Sequence, residues 1–352
     1  MAPKSLLKSW FPTTASPLIC NAPMFGTATS DMATAVTKAG GLGIIGGGFD
    51  LAPNSAQLTA LDADLAKAAS ALSIEPGRTL PVVVGFITFH SSFEHVLETV
   101  PPLLEKYRVA GVWLAFPQPG AHADVIKELK RKGEAWGLKV FVQVGTVEAA
   151  EEAATHGVDV IVVQGIDAGG HQWAQGASIV SLVPEVRDML EQNFNGHNIA
   201  LIAAGGIMDG RGLAAATALG AEGIVMGTKF ISTTESPSPD VIKDRLISTS
   251  DGGVATIKST IHDDLQGTGF WPPLYDGRAI IGEPYNEFKA GSSMDSLVER
   301  HKTAHASGNH SRRIIWCGTG VGLIKDVPSC QEVVRTTLRQ YSEVIERVSN
   351  VQ

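Results

Sequence analysis

One histidine stands directly behind a glycine pair in Gln164-Gly165-Ile166-Asp167-Ala168-Gly169-Gly170-His171, with a carboxylate four residues upstream. Imidazole is the side chain best suited to move protons near neutral pH, and Asp167 is placed to orient His171 or raise its basicity. Glycines at 169 and 170 let the backbone pass close to a flat ligand, although a lone histidine also serves structural roles. Two more glycine clusters follow, Ala203-Ala204-Gly205-Gly206-Ile207 and Val225-Met226-Gly227-Thr228. Glycine-rich turns ahead of a helix N-terminus expose amide N–H groups and a positive dipole end, which bind a phosphate monoester without a basic side chain. Their plainer reading is that glycine merely permits a tight turn.

Asn21-Ala22-Pro23-Met24 ends in a proline without N–H and a polarizable thioether, a suitable floor for a flat ring or else an ordinary turn beside a core methionine. Gln143, Gln164 and the stretch Gly318 to Ile324 supply further hydrogen-bonding groups for a ligand or for the protein itself. His90 and Trp113 are candidates for a pocket wall, with capping and core packing as the competing roles.

These residues have to be carried by strand ends. Apolar, β-branched runs recur at Pro17 to Met24, Gly43 to Gly46, Leu80 to Phe89, Gly111 to Phe116, Lys139 to Val144, Asp159 to Gln164, Ile199 to Ala204 and Gly223 to Met226. Most are continuously apolar, as parallel strands covered by helices must be. Helical patterns separate them at Ser30 to Ala39, Ala56 to Leu72, Phe93 to Tyr107, Val125 to Trp136, Val147 to His156 and Gly212 to Leu219. Several open on a capping residue, such as Asp31 or Thr146, and several stop at Gly40, Gly137, Gly157 or Gly220. The rhythm predicts an α/β fold, a closed (β/α)8 barrel over residues 1–352, with the chemistry-bearing segments at its C-terminal mouth. After Phe230 the pattern dissolves into proline pairs and glycines, and Gly267 to Pro284 shows no period. A lid inserted over 232–309, between the eighth strand and a last helix at Glu332 to Val348, is the expectation.

Gly41, Gly43 and Gly46 spell the G-x-G-x-x-G dinucleotide fingerprint, with Asp62 and Asp64 at about the spacing of a ribose-binding acid. The context excludes it, because the motif follows a helix instead of opening one. The glycines read as a helix stop and a strand that another backbone or a ligand approaches closely.

A net charge of −8 offers no basic field for nucleic acid or an anionic membrane, so a small-molecule ligand is expected. Met1 to Pro17 carries Lys4 and Lys8 without an apolar core, and no apolar run approaches the ~20 residues that span a bilayer. Cys20, Cys317 and Cys330 form no metal-ligand or disulfide spacing, which fits a reducing, cytoplasmic setting and no metal site.

Taken together, Ala22-Pro23-Met24, Val142-Gln143-Val144-Gly145-Thr146, Gln164 to His171, Ala204-Gly205-Gly206-Ile207, Met226-Gly227-Thr228 and Gly322-Leu323-Ile324 resemble the motifs of the nitronate monooxygenase family, in that family's order. The resemblance implies FMN across the barrel mouth, with Gly205, Gly206, Ile207, Met226, Gly227 and Thr228 around its phosphate. Ala22, Pro23 and Met24 would line the ring, and Gln143, Asp167, Gly169 and Gly170 would contact ring or ribityl atoms. His171 matches the base that converts a nitroalkane to its nitronate, which is oxidised with O2 to a carbonyl compound and nitrite. The sequence departs from the family where Asp167 replaces the commoner Glu and where Gln172-Trp173-Ala174-Gln175-Gly176 lengthens the segment after His171. Both departures put the substrate in question and keep other activities open: a flavin-dependent enoyl reductase, a pathway-specific oxidoreductase, or a barrel that binds a phosphorylated metabolite without flavin.

Overall fold

A computed structural model of the chain describes residues 5–350; Met1 to Lys4, including one lysine of the N-terminal reading, lie outside the described residues. A short helix α1 (Leu6–Trp10) precedes five strand–helix alternations and a sixth strand: β1 (Leu18–Asn21), α2 (Ser30–Lys38), β2 (Gly43–Gly48), α3 (Ala56–Ala71), β3 (Leu80–Ile87), α4 (Val96–Tyr107), β4 (Val109–Ala115), α5 (Ala123–Gly133), β5 (Lys139–Val144), α6 (Val147–Thr155) and β6 (Val160–Gln164). Strand β7 (Gly170–Trp173) then leaves the barrel, and α7 (Ile179–Asn193), β8 (Ala200–Ala204), α8 (Gly210–Ala218) and β9 (Gly223–Met226) resume it. The eight barrel strands run parallel, with β9 closing onto β1.

Both faces of these strands are covered, which is why they read as apolar runs. Val140, Val142, Ile161 and Val163 face the helices, whereas Phe141, Val160, Val162 and Trp113 fill the barrel interior. Leu7 and Phe11 join that interior cluster, with the Phe11 ring 6.0 Å from Phe141. Trp113 stacks on Phe141 at 6.2 Å and belongs to this core, not to a pocket wall.

Closure between β1 and β2 rests on a single bridge, Cys20 to Leu42, and on one side chain. The fully buried Asn21 carboxamide donates to the Ile44 carbonyl at 2.7 Å and accepts from the Ile44 amide at 2.9 Å, standing in for a peptide unit that the ladder lacks.

Helix stops at Gly40, Gly137, Gly157 and Gly220 all have positive φ. Thr146 caps α6 through the Ala149 amide, whereas Asp31 lies inside the first turn of α2 and pairs with Lys67 of α3. Helix α7 escapes a pattern search because Pro184 reads as a breaker; the ring sits early in the helix, and Leu182, Val183, Val186, Met189 and Leu190 still bury one face. In the glycine motif at β2, a Cβ on Gly43 would collide with the Ala33 carbonyl and one on Gly46 would stand 2.8 Å from the Met24 carbonyl, so neighbouring backbone takes the space. Asp62 pairs with Lys106, and Asp64 accepts from Ser30.

Between β9 and the final helix the chain adds α9 (Thr228–Ile231), α10 (Asp240–Ser248), α11 (Gly252–Ala255), β10 (Thr256–Ser259), α12 (Ile261–Gln266), β11 (Tyr275–Ile280), α13 (Glu283–Lys289) and α14 (Met294–Ala306). The aperiodic stretch therefore holds a strand. β11 pairs antiparallel with β10 on one side and with β7 on the other. The last helix, α15 (Cys330–Ser349), carries a full capping box at Ser329 and Glu332 and packs on α8 and α2 as the eighth barrel helix.

Replacing Asn21 by Leu should lower Tm by several degrees, because it strands a buried amide and a buried carbonyl of Ile44, each costing about 1–3 kcal/mol. Thermal unfolding of Asn21→Leu checks this, and an unchanged Tm would show that β1 and β2 do not need the side chain.

Candidate active site

The β-strand C-termini surround a cavity of about 370 Å³. Its floor is Ala22, Pro23 and Met24, seated low because Gly85 on β3 has no Cβ to meet the Pro23 ring. One flank is made of Gly205, Gly206 and Ile207 after β8 and Gly227 and Thr228 after β9; the other is Gln143, Gln164, Gly169, Gly170 and His171.

Gly205 and Gly206 take φ of 103° and 74°, two consecutive left-handed residues that L side chains disfavour. The amides of Gly205, Gly206, Gly227 and Thr228 have no acceptor among the described residues. By contrast, the α8 N-terminus is already occupied. The Gly210 amide donates to Gln340, and those of Arg211 and Gly212 donate to Asp209. The open amides of this flank belong to the turn after β8 and to the start of α9, whereas the start of α8 is not available. Gly227 is a different kind of glycine: its φ is ordinary, and a Cβ there would meet only Ala22 at 3.6 Å and the Met24 sulfur at 3.7 Å.

The glycines before His171 serve the protein backbone more than a ligand. A Cβ on Gly169 would collide with Cys317, and Gly170 adopts φ 68° with open space around it. This turn swings the chain out of β6 and into β7, where His171 pairs in register with Gly277 of β11. Lys258 of β10 reinforces the junction, bonding the Trp173 and Ala174 carbonyls and Asp276. Arg278 bonds the Ile166 carbonyl. Burial pushes the Asp276 carboxyl above its ordinary range and pulls the Arg278 guanidinium below its own.

His171 Nε2 lies 2.8 Å from Asp263 Oδ1, and that carboxylate is almost wholly buried. Thr268 donates to the same oxygen at 2.9 Å. Trp271 stacks on one imidazole face at 3.6 Å with an interplanar angle of 6°, and Trp316 flanks it at 4.9 Å. The hydrogen bond to Asp263 fixes the tautomer with Nε2–H donating, so Nδ1 carries the lone pair. No group among the described residues bonds Nδ1.

Asp167 is not the partner of His171. Its carboxylate accepts from Thr319 and its carbonyl from the Thr319 amide, so it faces the segment after Cys317 and lies off the cavity wall. Met226 is also off the wall, buried toward the helices while Val225 and Gly227 reach the cavity. The remaining candidates, Ala22, Pro23, Met24, Gln143, Gly169, Gly170, His171, Gly205, Gly206, Ile207, Gly227 and Thr228, come together on it. Gln143 donates to Gln164, which donates to the His171 carbonyl, a chain of amides under β7. His90 caps the turn that follows β3 through the Ser92 amide and sits behind the wall, 5.3 Å from the Phe49 ring. Gly318 donates to the Thr228 hydroxyl, joining the stretch ahead of α15 to the end of β9.

Asp263, Thr268, Trp271 and Trp316 were not legible as site residues. The available signal was chemical density without period, His262-Asp263-Asp264 and Phe270-Trp271, in a stretch too irregular to place. Among the lining residues none is Lys, Arg, Asp or Glu, so His171 is the titratable group of the wall.

The nitronate monooxygenase family model matches residues 103–340. Nitronate monooxygenase of Neurospora crassa is 43% identical over 97% of this chain and 93% of that protein. Among solved structures, FabK from Thermotoga maritima superposes with a TM-score of 0.76 at 23% identity, covering 99% of each chain. Nitroalkane oxidase from Streptomyces ansochromogenes superposes with a TM-score of 0.74 at 22% identity, covering 98% of this chain and 100% of that one.

Proposed function

The chain belongs to the nitronate monooxygenase family of flavin-dependent oxidoreductases, and on that footing we propose that it binds FMN across the barrel mouth and uses His171 to deprotonate a neutral nitroalkane. The observation that carries the reading is His171 itself, tied to a buried carboxylate through Nε2 while Nδ1 is left unbonded beside a cavity without another titratable side chain.

The residues present fit FMN. Turn amides at 205, 206, 227 and 228 lack acceptors and suit its phosphate, while Ala22, Pro23 and Met24 offer an apolar floor for its ring. Gln143 on the opposite flank supplies a polar contact, and Asp167 acts from behind by holding Thr319 and the turn at Gly206. When bound, the flavin supplies the electron transfer that links nitronate oxidation to O2.

His171 removes the proton on the nitro-bearing carbon through Nδ1. Asp263 keeps the ring in one tautomer and compensates the imidazolium charge that follows, and the face of Trp271 stabilises the same cation. Residues 232–309 act as the lid, contributing Asp263 and Trp271 to the site and excluding water from the transfer. No helix among the described residues is long and apolar enough to cross a membrane. We assign the enzyme to the cytoplasm, where thiols such as Cys317 and Cys330, pushed by burial to about 12, remain reduced.

Two experiments test the assignment. Changing His171 to Asn should cut turnover of neutral nitroethane by 10²–10⁴-fold and that of preformed ethyl nitronate far less, because the anion no longer needs a base. Asp263→Asn should show the same selectivity with a loss approaching that of His171→Asn, because a carboxamide no longer fixes the tautomer. Equal losses on both substrates would remove His171 from proton transfer. For the cofactor, Gly227→Ala meets only ordinary contacts in the protein and should keep its Tm within about 1 °C while weakening FMN binding at least about tenfold, roughly 1.4 kcal/mol. Full FMN affinity in that variant would move the phosphate elsewhere.

A further inference from the structure

An unbroken row of aromatic rings runs from His171 to the cavity rim. Trp271 stacks on the imidazole at 3.6 Å, Phe89 lies 4.4 Å from Trp271, Phe270 6.1 Å from Phe89, Phe49 6.2 Å from Phe270, and Phe25 5.8 Å from Phe49. The row comes from four separate segments: Phe25 after β1, Phe49 after β2, Phe89 after β3, and the pair Phe270 and Trp271 from the insertion. All of these residues line the cavity.

The outer end of the row is uncovered. Phe270 is 51% exposed and Phe25 is 50% exposed. Two half-exposed phenyl rings on the cavity wall offer surface that an apolar occupant buries. The rings are tilted or edge-on to one another rather than close-packed face to face, the geometry in which an inserted ring finds both π-faces and edges. The absence of Lys and Arg from the lining leaves nothing to compensate a carboxylate or phosphate on the substrate.

We propose that the substrate is a neutral nitro compound bearing an aromatic ring, with the nitro-bearing carbon at His171 and the ring seated among Phe49, Phe89 and Phe270. The proposal rests on the nitroalkane reading above and adds what that reading leaves open, the group attached to the reacting carbon. Burial of each added carbon raises kcat/KM by roughly fourfold where contact is complete. A ring against aromatic walls adds about two- to tenfold over a saturated group of equal size.

The test uses the FMN-loaded enzyme and O2 consumption with nitroethane, (2-nitroethyl)benzene, (2-nitroethyl)cyclohexane and 3-nitropropionate. The phenyl compound should exceed nitroethane by on the order of 100-fold in kcat/KM and the cyclohexyl compound by about threefold, with 3-nitropropionate the poorest. Phe270→Ala, at a half-exposed position, should reduce the phenyl-to-nitroethane ratio about tenfold, and Phe270→Leu should reduce it less. A cyclohexyl compound as good as the phenyl one, a preference for 3-nitropropionate, or a ratio unmoved in Phe270→Ala overturns the proposal while leaving the nitroalkane reading intact. No turnover of any nitro compound removes that reading and the proposal with it.

Discussion

The antiparallel pairing of β7 with β11 is the constraint on which the site depends. A parallel barrel buries both faces of its strands, so side chains free to do chemistry sit at the strand ends and on the segments beyond them. Here the chain turns out of the sheet at Gly169 and Gly170 and lays His171 opposite Gly277. The missing side chain at 277 also admits Trp316, whose ring occupies the place a Cβ would take. With β11 fixed, α12 and the Phe270-Trp271 segment fall on the same side, and Asp263 and Trp271 close on the imidazole from an edge and a face. The insertion therefore supplies part of the surroundings of His171.

Electrostatic economy follows from the same arrangement. The nearby charges are tied down outside the wall: Lys258 with Asp276, Arg278 on the Ile166 carbonyl and Thr256, Asp263 on His171 and Thr268. Each is partnered before it can face the cavity. The imidazole of His171 has one hydrogen-bonded carboxylate neighbour, Asp263, and faces a wall without other charged side chains. The apolar remainder of the wall then discriminates by shape and surface, not by charge.

The barrel was legible because its physics is repetitive. Eight apolar runs, glycine helix stops and capping residues such as Thr146 each follow from burial on two faces and from termini that need partners, and β5 and β9 fall on the expected residues. The cavity floor and the glycine flank were legible for the same reason, since strand ends at known spacing must meet at one mouth. What escaped depended on tertiary pairing. β7 and β11 are short, and their pairing joins residues more than a hundred positions apart, which no local period encodes. Asp167 was the nearest carboxylate in sequence to His171, yet a turn of two glycines redirects the chain so that Asp263 is the nearest in space.

The glycines show how one residue type can carry opposite meanings. At Gly43, Gly85, Gly169 and Gly277 a Cβ would strike protein, so the absence of a side chain is a packing requirement. At Gly205 and Gly206 the left-handed backbone is the requirement. Gly227 has neither an unusual φ nor a crowded Cβ, and it sits on the cavity wall between Met24 and amides that lack acceptors. A position that the fold leaves free for any small side chain, but where glycine widens a cavity flanked by unpaired donors, is explained by what occupies the cavity. That argument separates glycines free of packing demands from structural ones, and the amides left open lie in the turns after β8 and β9 because Asp209 and Gln340 have already claimed the start of α8.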